Sequence, residues 1–198
     1  QVYLSFEMSD RSHFIYEVDE SWSLFLDRDG VINERKVGGY VQSVSEFEIL
    51  PGVLESLFHF ESIFQKIFVV TNQQGIGKGI MSHEDLALIH EYFLHEVANA
   101  RGRIDDIYYS PDLSNIASFT RKPQIGMALQ ACEDYKTVDL SKSIMVGDSL
   151  SDMQFGRNAG MYNVLAGKKK DEVQPELYDL RVEDLIGFSV LLQRALSK

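Results

Sequence analysis

Asp27 and Asp29 stand two residues apart at the end of a short apolar run, in L-F-L-D-R-D-G-V-I-N from Leu24 to Asn33. A buried strand of Leu24, Phe25 and Leu26 would deliver the first carboxylate to the carboxyl edge of a sheet. Gly30 would then let the backbone turn sharply away. In open parallel sheets that edge is where ligands bind. Two carboxylates at this spacing suit a metal and a nucleophile, or an acid and a base. Taken alone, the same letters also describe an exposed turn, since Asp and Gly are common turn residues.

Three further groups follow in order. Thr71 and Asn72 end the apolar run Ile67 to Val70 in F-V-V-T-N-Q-Q-G-I-G-K-G. Arg121, Lys122 and Pro123 stand just before a helical pattern. Asp148 follows the run Ile144 to Val146 in S-I-M-V-G-D-S-L-S-D-M, with Asp152 four residues on. Part of the second group imitates a nucleotide-binding P-loop. That motif needs Gly at 72 and Ser or Thr at 79, where this chain has Asn72 and Gly79.

The elements that must carry these residues alternate between strand and helix. Pro51 and Gly52 open a helix to about Phe64, with Leu54, Leu57 and Phe58 at helical spacing. A strand covers Lys66 to Val70. Ser82 and Asp85 form a capping box, S-x-x-D, ahead of a stripe of Leu86, Ile89, Phe93, Leu94 and Val97, with Gly102 as the stop. A strand over Asp106 to Tyr109, a helix from Pro123 and a strand over Ser143 to Val146 come next. A short helix over Asp152 to Ala159 ends at Gly160. Tyr162 to Leu165 reads as a strand, and Glu183 to Leu196 as the last helix. Alternating strands and helices imply a mostly parallel sheet with helices on both faces. S-H-F-I-Y-E-V-D-E-S-W in residues 1 to 22 suits an edge strand or an arm packed on the sheet, and G-K-K-K-D-E a charged loop. The expected division is an N-terminal extension over 1–22 and one domain over 23–198. The chain does not begin with Met, so it reads as a trimmed chain or a piece of a longer one.

Composition narrows the function classes. A net charge of −11 repels nucleic acid and anionic lipid. A phosphate ligand would then need local cations, for which Arg28, Arg35, Lys36, Lys78, Arg121 and Lys122 are the candidates near the motifs. No apolar run has the length of a membrane span. One cysteine, Cys132, excludes an internal disulfide and reads as a small buried residue in a helix. His13, His59, His83, His90 and His95 form no ligand pattern. Cytoplasmic location and a monomer are expected.

In this order the four groups resemble the signature motifs of the haloacid dehalogenase-like (HAD) phosphatase superfamily. The variants D-R-D-G-V-I-N, T-N-Q-Q-G-I, R-K-P and V-G-D-S-L-S-D-M resemble more narrowly one branch. That branch holds the D-glycero-D-manno-heptose 1,7-bisphosphate phosphatases and the related histidinol-phosphate phosphatases. The resemblance runs from Ser23 to Gly167. It implies a HAD-like Rossmannoid three-layer α/β fold. The stretch from Asn33 to Pro51 is too short for a large cap domain.

The resemblance also implies roles. Asp27 is the nucleophile that forms an aspartyl-phosphate. Asp29 is the general acid, then the general base. Mg²⁺ is held by Asp27, Asp148 and the backbone carbonyl of Asp29. Asp152 either supports the metal's waters or is a carboxylate at a helix N-terminus. Thr71 and Asn72 hold phosphoryl oxygens, Lys122 neutralises charge there, and Arg121 grips a second phosphate or a sugar oxygen. Asn33 and Gln73 orient the substrate. The implied substrate is a small phosphorylated sugar, heptose 1,7-bisphosphate first and histidinol phosphate second. Rival readings are a non-catalytic phosphate-binding module and an accessory domain of a fused protein.

One departure stands out. Many members of the branch carry a zinc loop directly before R-K-P. Ser110, Asp112, Ser118 and Thr120 fall where its ligands would stand. Without thiolate or imidazole there, no structural zinc is expected.

Overall fold

The computed structural model describes residues 7–8, 10–167 and 173–197; the expected charged loop after Gly167 lies largely outside them. In chain order the strands are β1 (Glu7–Met8), β2 (Ser23–Leu26), β3 (Lys66–Asn72), β4 (Asp106–Ser110), β5 (Ser143–Gly147), β6 (Tyr162–Ala166) and β7 (Leu180–Val182). They form one sheet in the order β1-β7-β6-β5-β2-β3-β4. Every neighbouring pair is parallel except β1 with β7. The helices are α1 (Val53–Glu61), α2 (Gln74–Gly77), α3 (His83–Asn99), α4 (Gly126–Asp134), α5 (Leu150–Ala159) and α6 (Leu185–Leu196). This is the expected α/β fold.

Side-chain alternation along each strand sorts the core into two halves. Leu24, Leu26, Ile67, Val69, Ile144 and Val146 pack with Leu57 of α1, Phe93 of α3 and Phe188 of α6. Phe25, Phe68, Val70 and Met145 pack with Met127 and Ala131 of α4 and Phe155 of α5. Both faces are covered, so β2 and β5 are buried throughout and read as continuous apolar runs.

Several boundaries differ from the sequence reading. The helix expected from Pro123 opens at Gly126, after a turn in which the Gln124 N–H donates to the Arg121 carbonyl. The helix expected from Asp152 opens at Leu150, because Ser149 and Asp152 form a capping box. The last helix opens at Leu185, where Asp184 accepts from the Gly187 N–H. α1 ends at Glu61, short of Phe64. The three-residue β7 is too short to show a period and escaped the sequence reading. Residues Asp10–Tyr16 form a 3-10 turn, not a strand. They act as the packed arm: Phe14, Ile15, Val18 and Trp22 join the core shared with β2 and α6, and the Phe14 ring stacks on Tyr162 at 4.8 Å.

No inserted domain separates Asn33 from Pro51. That loop is pinned at its base, where Glu34 N–H donates to the Glu48 carbonyl and Leu50 N–H to the Ile32 carbonyl. Among the described residues no helix is long and apolar enough to cross a membrane.

Candidate active site

β2 lies between β5 and β3. The chain runs outward from β2 through β3 to β4, then returns to β5 on the other side. A crevice therefore opens at the carboxyl ends of these strands. Asp27 continues the ladder there, its N–H donating to the Val146 carbonyl at 2.9 Å. Asp148 follows β5 directly, and Thr71 and Asn72 end β3. A cavity of about 580 Å³ opens over this edge, lined by Asp27, Asp29, Thr71, Arg121, Lys122 and Asp152, with residues 35–41 forming one wall. Gly30 adopts φ +101°, and a Cβ there would collide with the Asp148 carboxylate. A Cβ on Gly147 would collide with Asp152.

Lys122 is buried at the floor. Its Nζ donates to Asp27 Oδ1 at 2.7 Å and to the Val70 carbonyl at 2.7 Å, and pairs with Asp152 Oδ1 at 2.6 Å. Those three acceptors use all three donors of an ammonium. Burial alone would lower the Lys122 ammonium, but Asp152 and Asp27 hold it above its ordinary value. Asn72 fixes the lysine's backbone: its Nδ2 donates to the Lys122 carbonyl at 3.1 Å and its Oδ1 accepts the Lys122 N–H at 2.9 Å. Both polar ends of Asn72 are thus engaged by the Lys122 backbone, and one Nδ2 proton is left over in a residue that lines the cavity.

Asp29 sits in a cage of donors. Its Oδ1 accepts from Arg28 at 2.9 Å and Asn33 at 3.0 Å, and its Oδ2 accepts from Gln73 at 2.7 Å. Gln73 also donates to Thr71 Oγ1 at 2.9 Å. Asn33 and Gln73 are 0% and 1% exposed, so these amides orient Asp29 where substrate contact was expected. Buried amide donors need acceptors, and this carboxylate is theirs. Burial would raise Asp29, but the Arg28 charge and the three hydrogen bonds hold it below its ordinary value.

Arg28 also lines the cavity, and its guanidinium is 1% exposed and bonds to Asp29. It lies 5.6 Å from the Phe47 ring centre and 3.4 Å from His90 Nε2. The sequence signal for it was general: an arginine in a buried run must be paired.

The carboxylates of Asp27, Asp148 and Asp152 each offer an oxygen within 4.8 Å of the others. Burial, then the charge of Asp152, pushes Asp27 up to about 6, against the pull of Lys122. Burial, then the charges of Asp27 and Asp152, pushes Asp148 up to about 7, against the pull of Arg35. The cluster therefore favours added positive charge. Arg35 supplies some. Its Nε and Nη2 donate to the Asp29 carbonyl at 3.1 and 2.8 Å, and its Nη2 donates to Asp148 Oδ1 at 2.5 Å and lies 3.8 Å from Asp27 Oδ2. Those are the three groups the sequence reading assigned to Mg²⁺. An all-oxygen donor set around a spot that already attracts a cation fits a hard divalent ion. Asp152 stands behind it, since its Oδ1 pairs with Lys122 and its Oδ2 accepts from the Ser149 N–H and hydroxyl.

Fold and site define a HAD-like hydrolase without a large cap. A family model described as HAD-hydrolase-like matches residues 119–183. The chain is 40% identical over 137 residues to D-glycero-alpha-D-manno-heptose-1,7-bisphosphate 7-phosphatase of Mycobacterium bovis, covering 69% of this chain and 72% of the relative. It is 39% identical over 151 residues to the enzyme of the same name from Campylobacter jejuni, covering 76% and 85%. The crystal structure of D,D-heptose 1,7-bisphosphate phosphatase from B. bronchiseptica, complexed with magnesium and phosphate, superposes with a TM-score of 0.75 at 28% identity, covering 87% of this chain and 98% of that one. The chain belongs to the heptose-1,7-bisphosphate 7-phosphatase family of HAD-like phosphatases.

Proposed function

We propose that this chain is a Mg²⁺-dependent phosphomonoesterase that removes the 7-phosphate of D-glycero-D-manno-heptose 1,7-bisphosphate. Asp27 attacks phosphorus, the bond from phosphorus to the sugar oxygen breaks, and Asp29 gives that oxygen its proton. The bound phosphate dianion adds negative charge beside Asp29 and raises it toward protonation. Asp29 then takes a proton from the water that hydrolyses the aspartyl-phosphate, releasing inorganic phosphate. Thr71 Oγ1 accepts from Gln73, so its own proton is left for a phosphoryl oxygen. Lys122 holds Asp27 in place and offsets charge at the reacting centre.

Asp27, Asp148 and the Asp29 carbonyl would hold Mg²⁺, which when bound neutralises charge on the transferring phosphoryl group. Asp152 keeps Lys122 and the start of α5 in place. Arg121, at the cavity rim, takes the second phosphate. A small phosphorylated sugar is the partner, and no second chain is needed, since every group named comes from one. Stoichiometric zinc has no role in this reading.

What supports it is convergence: residues from four separated motifs meet at one sheet edge, in a chain whose relatives carry this activity by name. The test is phosphate release with Mg²⁺ from both anomers of heptose 1,7-bisphosphate, histidinol phosphate, other sugar bisphosphates and nucleotides. The heptose is expected to be strongly preferred. Asp27→Asn should lower the rate by about a thousandfold or more with the fold intact. Near-normal turnover in that variant, or no preference across the panel, would overturn the proposal.

A further inference from the structure

The loop before Arg121 carries a hydrogen-bonded knot outside the reacting centre. Thr120 Oγ1 lies 3.0 Å from Ser110 Oγ and 3.3 Å from Asp112 Oδ2. Ser118 Oγ donates to the same Asp112 oxygen at 2.6 Å. Asp112 N–H reaches Ser110 Oγ at 3.4 Å. Four residues spread along the loop thus meet around one carboxylate oxygen and three hydroxyls. Ser110 is fully buried at the end of β4, which roots the knot in the sheet. The far side is rooted in α4, where the Gly126 N–H donates to the Phe119 carbonyl at 3.0 Å. A Cβ on Gly126 would collide with that carbonyl.

The knot ends on Arg121. Ser118 Oγ accepts the Arg121 N–H at 2.8 Å, and the Asp112 carbonyl accepts from Arg121 Nη1 at 3.0 Å. One edge of the guanidinium is therefore held by the loop, while the residue lines the cavity beside Lys78 and Tyr40. Lys78 donates to the Tyr40 hydroxyl at 2.9 Å. Together these cations make a rim suited to an anion remote from Asp27. A guanidinium binds phosphate through paired parallel bonds, so its plane must be set in advance.

We propose that Asp112 is a positioning residue: through Ser118 and Thr120 it fixes the Arg121 guanidinium to receive the second phosphate of a sugar bisphosphate. This rests on the bisphosphatase reading and adds to it the device that recognises the phosphate left on the product. The side chain of Asp112 acts only through its neighbours.

The test compares heptose 1,7-bisphosphate with heptose 7-phosphate, which lacks the second phosphate, as substrates of the full chain. Asp112→Ala should raise KM for the bisphosphate about tenfold, leave kcat within about twofold, and leave both constants for the monophosphate unchanged. Asp112→Asn, which keeps an oxygen acceptor, should recover most of the loss. Arg121→Ala should raise the same KM at least as far, and the double variant D112A/R121A should be no worse than R121A alone. Equal losses on both substrates, a fall in kcat, or additive effects in the double variant would overturn the proposal. A readout independent of turnover is the ¹⁵N–¹H signal of the Arg121 guanidinium. It should exchange slowly in the wild type and fast in Asp112→Ala, or in Thr120→Val if Asp112→Ala does not fold. Fast exchange in the wild type would sink the idea whatever the substrate. Inactivity toward both sugars with a slow guanidinium would instead defeat the activity reading alone.

Discussion

Arg35 stands against the same three groups that would hold the metal, so the two must compete. Its guanidinium donates to the Asp29 carbonyl and to Asp148, and approaches Asp27. A metal-binding chain has to release those contacts first. The apparent dissociation constant for Mg²⁺ is then the intrinsic one divided by the fraction of chains with Arg35 displaced. Hydrogen bonds to charged groups contribute about 1.5–3 kcal/mol each when desolvated. The Arg35 side chain is 47% exposed, so screening cuts deeply into that figure. Exposed ion pairs are worth about 0.2–1 kcal/mol, and for this cluster of contacts about 1–2 kcal/mol is a fair sum. At 1.4 kcal/mol per factor of ten, Arg35→Met should tighten Mg²⁺ binding by about five- to thirtyfold. Methionine keeps the apolar stem and removes the charge. The assay is calorimetric titration of the substrate-free protein with Mg²⁺, repeated with Mn²⁺ by paramagnetic resonance. Unchanged or weaker affinity in the folded variant would refute the competition and would place Arg35 among the supports of the metal site.

Two further predictions follow from particular contacts. Burial, then the charge of Arg28, pushes His90 from 6.5 down to about 3, so the unfolded chain takes up this proton before the folded one. The stability from neutral His90 is therefore complete above pH 6.5 and is lost as the pH falls toward 3, by about 2 kcal/mol between pH 6.5 and 5. Asp27 and Asp148, raised to about 6 and about 7, pull the opposite way. The measure is thus the difference in denaturant midpoint between wild type and His90→Gln across that range, and parallel pH curves would dismiss the assignment. Chelation should stop phosphate release and Mg²⁺ restore it, while elemental analysis should find no stoichiometric zinc. One zinc per chain would contradict the reading of the 110–120 loop.

Much of this protein is legible in short stretches of its sequence because the causes are local. The carboxylate after a buried run, the glycine behind it and the capping box at Ser82 each depend on residues within four positions. The parallel sheet follows from apolar runs buried on both faces and joined by helices. Element ends were less legible: the start of α4 depends on a turn that sets Lys122, and β7 exists because β6 offers it a partner.

The sequence by itself determined which residue types reach the carboxyl edge of the sheet, and in what order. Only the tertiary structure decided what each one does there. Asn33, Asn72 and Gln73 carry the same amide, yet two of them cage Asp29 and one clamps Lys122. Arg28 and Arg35 carry the same charge, yet one is buried against Asp29 and the other lies over the oxygens proposed to hold a metal. A buried donor must find an acceptor, and the nearest acceptor in space is set by how distant strands pack. Asp27 and Lys122 are 95 residues apart in sequence and 2.7 Å apart in the fold.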